Sequence, residues 1–353
     1  MPTVEELVPR DALAHWLPKA GVEAADVVVE PIGEGHSNLT FRVVAGDQSW
    51  VLRRPPAGPL LPTAHDVLRE YRVLSLLAAA DEHARVPRVV AVCEDRDVIG
   101  APFYLMDEVD GVVVRSELPT GLAGDAAAQH LLGLDLVTAL VEIHRVDWEP
   151  FVAAGIGRPG GYLQRQLDRW VGQREGIQTA VAAAGGRARD LPDYDAVRDW
   201  LRAHLPAESA PALVHGDFKL DNAIVDLATD PLRPRVAAIV DWEMATVGDP
   251  RADLGYLLSF WPEPGETWPL GDLVTTAPGF PRRAEMVQHW AVATSRDPGD
   301  PTWFVTLAIW KLAILLEASY HRWLAGMADD PFFARLDVGV PALLARARET
   351  CGA

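Results

Sequence analysis

The hydrophobic pattern of this chain changes period about a third of the way along. Up to residue 106 its apolar positions come in short, β-branched runs at residues 27–32, 39–44, 50–53 and 102–106. These read as strands, the third placing Val51 and Arg53 on one face. Two helical patterns interrupt them. Residues 3–19 offer Leu7, Leu13, Trp16 and Leu17 for packing. Residues 64–80, with Thr63 as cap, carry an inward stripe of Val67, Tyr71, Leu74 and Ala78, with Glu70 at its edge. Beyond residue 110 the helical period takes over, predicting helices over residues 126–144, 162–174, 194–204, 250–260, 282–294, 303–324 and 341–349. His144, alone on its helix, reads as a satisfied core histidine. Glu317 and His321, one turn apart, read as a helix edge at the surface rather than the wall of an acceptor pocket.

One stretch of the second part breaks the helical rhythm. Leu213-Val214 is a short strand, and the apolar runs at residues 223–225 and 236–240 flank a turn-forming segment with two prolines. They predict an antiparallel hairpin whose open end brings Asn222 opposite Asp241, with Asp217 in the polar loop just before. An amide and two carboxylates converging there are oxygen ligands of the kind a hard divalent cation takes.

The same residues carry a resemblance. His215-Gly216-Asp217-x-Lys219-x-x-Asn222 resembles the catalytic loop of kinases, and Asp241-Trp242-Glu243 stands where their metal-binding Asp-Phe-Gly belongs. Gly216 replaces the usual Arg, and Gly248-Asp249-Pro250-x-x-Asp253-Leu254 follows. Together these are similar to the aminoglycoside-phosphotransferase-like branch of the kinase fold, nearest the phosphotransferase domains associated with acyl-CoA dehydrogenases.

The resemblance implies an α+β, bilobal protein-kinase-like fold. Residues 1–110 would form a nucleotide-binding lobe with an antiparallel sheet and one key helix. A hinge follows at about 106–111, and residues 111–353 would form a mainly helical catalytic and substrate-binding lobe. It further implies ATP and Mg2+ as cofactors. The Gly-rich turn would close over the phosphates with Gly35, Ser37 and Asn38, and Val51 would cover the adenine. Arg53 would stand in for the phosphate-binding Lys and pair with Glu70. Met106 would be the gatekeeper, and the Asp107 carbonyl and Val109 amide would read the adenine edge. Asn222 and Asp241 would hold the metal, Asp217 would aim the acceptor hydroxyl, and Lys219 would touch the γ-phosphate. His215 would buttress the loop, and Asp253 would anchor its backbone. Arg53 departs from the family pattern, because a planar fork is not equivalent to a compact ammonium.

Composition narrows the partners. With 32 basic and 50 acidic residues the formal charge is −18, which argues against nucleic acid or an anionic membrane. It tolerates a cationic acceptor. Cys93 and Cys351 have neither disulfide nor zinc spacing, and the acidic N-terminus has no apolar leader, so a cytoplasmic location is expected. The most apolar run, residues 303–320, is broken by Lys311 and Glu317 and reads as a buried helix rather than a membrane span. The Gly-rich turn lacks the third Gly and the following helix of a dinucleotide fold. Lysine occurs only at positions 19, 219 and 311, so Lys219 marks a place where a compact donor is wanted. The leading reading is an ATP-dependent kinase acting on a hydroxyl of a small molecule. The acceptor is either a hydroxyacyl metabolite, as the motifs suggest, or an aminoglycoside-like antibiotic, as the charge suggests. A non-catalytic nucleotide-binding protein rests only on Arg53. A metal-dependent hydrolase would need a denser His/Asp cluster.

Overall fold

The computed structural model describes residues 2–32, 38–57, 66–230, 233–328 and 330–353. The expected N-terminal helix is two helices, α1 (Val4–Leu7) and α2 (Arg10–Trp16). Pro9 divides them: it lacks the N–H that would continue α1 and pushes Val8 out of helical geometry. Thr3 and Glu6 close a reciprocal capping box at the start of α1.

Five strands follow, β1 (Val28–Pro31), β2 (Leu39–Ala45), β3 (Gln48–Arg54), β4 (Val89–Cys93) and β5 (Phe103–Asp107). They form one antiparallel sheet in the order β1-β2-β3-β5-β4. The strand period of two splits its side chains between two cores. Phe41, Val43, Leu52, Phe103 and Leu105 pack outward against Leu13 and Leu17. Val51, Tyr104 and Met106 pack on the other side with α3 (Val67–Ala80) and join the main core.

The cap of α3 is Asp66, whose side chain accepts from the Arg69 N–H; the expected Thr63 cap lies outside the described residues. The buried stripe of α3 is Val67, Glu70, Val73, Leu74 and Leu77, with Tyr71 and Ala78 only half buried. Glu70 is therefore inside the stripe rather than at its edge, because partners waiting there satisfy its charge.

A short α4 (Arg96–Ile99) and strand β6 (Val112–Val113) lead into the helical part. This comprises α5 (Ala126–Arg145), α6 (Glu149–Ala153), α7 (Tyr162–Ala183) and α8 (Pro192–Ala203). After them come β7 (Ala212–Val214), β8 (Ala223–Asp226), β9 (Arg235–Ile239) and β10 (Thr246–Gly248). Strands β8 and β9 form the expected hairpin, extended by β6, while β7 pairs with β10. The chain ends with α9 (Arg251–Ser259), α10 (Arg283–Thr294), α11 (Thr302–Leu324) and α12 (Leu336–Cys351). Helix α12 begins before Pro341, since Leu336 and Val340 are buried on the same face as Leu343, Leu344 and Ala347. Helices α5 and α11 are each long and apolar enough to cross a membrane, but most of both is enclosed by the fold.

Glu317 overturns the reading of a surface helix edge. It is fully buried, with Arg189 Nε at 3.0 Å, Arg174 Nη1 at 3.5 Å and His321 Nε2 at 3.1 Å. Helix α11 is thus pinned to α7 and to the loop before α8 through one carboxylate. Removing one member of such a cluster leaves uncompensated buried charge. Glu317→Ala is expected to lower the unfolding free energy by about 3–5 kcal/mol. The exposed Arg322→Ala should stay within about 0.5 kcal/mol, both read from urea denaturation midpoints.

Candidate active site

The polar loop between β7 and β8 is held from below by one carboxylate. Asp253, on α9, is buried and accepts from the backbone N–H of His215 at 2.6 Å and of Gly216 at 2.8 Å. His144 Nε2 lies 3.4 Å from the same carboxylate, and its Nδ1 accepts from Trp290 Nε1 at 3.0 Å. His144 is therefore a satisfied core histidine that braces the brace. The His215 ring spans from the Asp217 N–H, 3.2 Å from Nδ1, to the Val240 carbonyl, 3.0 Å from Nε2. That is a buttressing role. Gly216 sits at φ +87°, and a Cβ there would meet the Met244 carbonyl oxygen at 2.7 Å. The Arg of the kinase loops that this one resembles has no room here.

Asp217, Asn222 and Asp241 come together as the hairpin predicts. The Asn222 amide nitrogen donates to both the backbone carbonyl and the carboxylate of Asp217, each at 2.8 Å. The Val240 N–H donates to the Asn222 carbonyl at 2.9 Å, setting Asp241 beside it. Asp241 is one of three described non-glycine residues at positive φ, +69°. Aspartate tolerates this conformation, and its side chain meets Arg53. Burial alone would raise the Asp217 pKa. Lys219, whose Nζ lies 3.9 Å away, together with Lys311 and the Tyr256 hydroxyl, holds it below the usual carboxylate value.

Arg53 arrives from β3 and joins the two halves of the site. Its Nε is 3.3 Å from Glu70 Oε2 and its Nη2 is 3.2 Å from Asp241 Oδ1. Burial works against the Arg53 charge, but Glu70, with Asp241 and Glu243 adding, raises its pKa above the ordinary arginine value. The Trp242 N–H donates to the other Glu70 oxygen at 3.1 Å. The Arg69 guanidinium donates to the backbone carbonyls of Glu243, at 3.0 Å, and of Ala245. Asn38, at the end of the Gly-rich turn, donates to Glu243 Oε2 at 3.2 Å. Gly35 and Ser37 lie outside the described residues.

On the sheet, Val51 and Met106 are directly paired and both are buried. The Asp107 side chain turns to Arg88, with Oδ2 at 2.9 Å from Nε, and its N–H donates to the Arg88 carbonyl at 2.9 Å. Val109 is half buried in the segment that joins the sheet to β6.

Several residues of this site were not picked out for a role from the sequence. Tyr256 abuts Asp217, and Lys311 donates to the Gly216 carbonyl. The scarcity of lysine that marked Lys219 marks Lys311 equally. Asp249 is locked by the Ser209 N–H at 3.0 Å and by Arg251, fixing the turn into α9.

A family model described as the phosphotransferase enzyme family matches residues 28–286. The chain belongs to that family. A mouse protein, acyl-CoA dehydrogenase family member 10, is 31% identical over 92% of this chain. The match covers 29% of the mouse protein, so the chain spans well under half of that relative's length. The crystal structure of a candidate aminoglycoside phosphotransferase from Ralstonia eutropha superposes with a TM-score of 0.75 at 30% identity, covering 97% of this chain and 98% of that one. A thermostable mutant of aminoglycoside phosphotransferase APH(4)-Ia, crystallised with AMP-PNP and hygromycin B, gives a TM-score of 0.62 at 15% identity, with 99% of each chain covered. The α+β, bilobal kinase-like fold of the phosphotransferases is thereby established for this chain.

Because Arg53 and Glu70 compensate one another's charge in a buried setting, their truncations are expected not to add. Glu70→Ala should cost about 3–5 kcal/mol of stability. The cycle with Arg53→Met should show a coupling of at least about 1 kcal/mol in denaturant unfolding.

Proposed function

We propose that this phosphotransferase moves the γ-phosphoryl group of ATP to a hydroxyl of a small molecule, with Mg2+ as cofactor. The observation that carries this reading is the convergence of Asp217, Asn222 and Asp241 with the Arg53–Glu70 pair at one place. Asn222 and Asp241 fit a magnesium ion by the chemistry of their donors. One offers a neutral amide oxygen and the other a carboxylate, and Asp241 remains partly exposed. The bound ion would neutralise phosphate charge.

The remaining work falls to the chain's own side chains. Phosphoryl transfer asks for in-line placement and charge compensation more than covalent help. Asp217, kept anionic by the cations around it, accepts a hydrogen bond from the acceptor hydroxyl, aims its oxygen at the γ-phosphorus and takes its proton late. Lys219 compensates charge gathering on the transferred group. Arg53 and Asn38 orient the phosphates, and Val51, Met106 and the backbone at Asp107 and Val109 hold the base.

The acceptor is read from a groove of about 890 Å3 between α7 and α11. Its upper end is Arg169, which flanks Lys311 and hence the catalytic loop. Ile177, Val181 and Leu324 give it an apolar floor, and Arg169, Arg187 and Arg322 stand along it. Among the described residues none of its lining side chains is acidic, in a chain of net charge −18. That lining disfavours a polycationic antibiotic. It suits an acceptor with an apolar chain and an anionic end, and a hydroxyacyl thioester is such a molecule.

Mg-ATP is expected to raise the melting temperature of the wild-type protein. Acceptor-dependent ADP release should appear with hydroxyacyl thioesters and not with aminoglycosides. Asp217→Asn and Asp241→Ala should each lose about a hundredfold or more of that rate. ADP release only with aminoglycosides would reverse the choice of acceptor, and none with any compound or with water would count against the kinase reading.

A further inference from the structure

Lys311 is out of place by every compositional rule of its helix. It sits on α11 between Trp310 and Leu312, in the most apolar segment of the chain, and only 7% of its surface is exposed. A buried ammonium persists only where its donors and charge are answered. Its Nζ donates to the backbone carbonyl of Gly216, the residue before Asp217. The same atom lies 4.5 Å from the ring centre of Tyr256 and 5.5 Å from that of Trp170. The Tyr256 hydroxyl in turn abuts the Asp217 carboxylate. The ammonium thus sits in an aromatic seat against the loop, and Gly216 is held through both of its backbone groups: N–H to Asp253, carbonyl to Lys311.

We infer that Lys311 is a positioning residue for phosphoryl transfer: its ammonium, seated on Tyr256 and Trp170, fixes the Gly216–Asp217 peptide so that the Asp217 carboxylate points at the acceptor hydroxyl. The inference rests on the reading of Asp217 given above. Burial pushes the Lys311 pKa down to about 8, Asp217 and Asp253 resisting and Arg169 and Lys219 assisting. Those four, with Tyr256, are the ionisable groups that face it from the catalytic loop, α9 and α7. The clamp is therefore at full strength when the amine is protonated, and it loosens as pH rises through that region.

The experiment has one arm that needs no turnover. With only three lysines in the chain, lysine labelled with 13C at Cε gives three resolvable NMR titrations, assigned by Lys19→Arg and Lys219→Arg. The Lys311 midpoint is expected well below the ordinary value and should fall further in Asp217→Asn, which removes a favourable charge. An ordinary midpoint, or one unmoved by Asp217→Asn, overturns the inference.

The second arm follows acceptor-dependent ADP release, or ATP hydrolysis by water, from pH 6 to 10. Lys311→Met is expected to lower kcat tenfold or more, with KM for ATP within about twofold of wild type. The wild-type kcat should decline above the Lys311 midpoint, and Lys311→Arg, whose charge persists, should move that decline to higher pH. Unchanged kcat in Lys311→Met, or the same alkaline decline in Lys311→Arg, also overturns it. If Lys311→Met does not fold, the NMR arm and the Lys311→Arg profile decide. Absence of any turnover in the wild type strikes the kinase reading and leaves the NMR result to speak for the contact.

Discussion

A single guanidinium joins parts of this molecule that lie far apart in sequence. Arg53 meets Glu70 from α3 and Asp241 from beyond the hairpin, in a place almost closed to water. A buried cation with one partner would be costly; two carboxylates placed at different angles suit the flat fork of arginine better than the point charge of lysine. The replacement of the family's lysine thus has a geometric meaning. It extends a two-member pair to three, so that strand, helix and the segment after the hairpin share one electrostatic junction.

The lower half of the site obeys a related economy. Asp253, Asp249 and Glu317 are all buried carboxylates, and each gathers donors from separate segments: loop amides, a turn serine and arginine, two arginines with a histidine. Acidic residues thereby serve as internal knots in a chain with a large surplus of them. Exposed acids dominate the net charge, which for that reason said little about the groove between α7 and α11, whose charged lining among the described residues is cationic.

What could be read from the residues depended on how local the determining interaction was. The hairpin and the approach of Asn222 to Asp241 follow from two apolar runs and a proline turn, and the strands of the sheet from their alternation. Pairing of Glu70 with Arg53 was legible through motif order, but its depth was not: burial of Glu70 depends on the Trp242 amide, far away in sequence. Glu317 looked like a surface residue because two of its partners, Arg174 and Arg189, come from other segments. Pro9 was a visible breaker that the apolar spacing of residues 3–19 masked. Lys311 stood out compositionally, yet only the packing of α11 beneath the catalytic loop gives it a partner.

The fastening of α3 has a consequence for control. Glu70 receives the Trp242 amide and Arg53, while Arg69 grips the carbonyls of Glu243 and Ala245. In protein kinases, swinging the equivalent helix outward is a means of switching activity off. Here such a swing would strand a buried acid, a buried base and several peptide groups together. On the reading proposed above, a helix so fastened would leave output to the supply of the two substrates rather than to a lever inside the fold.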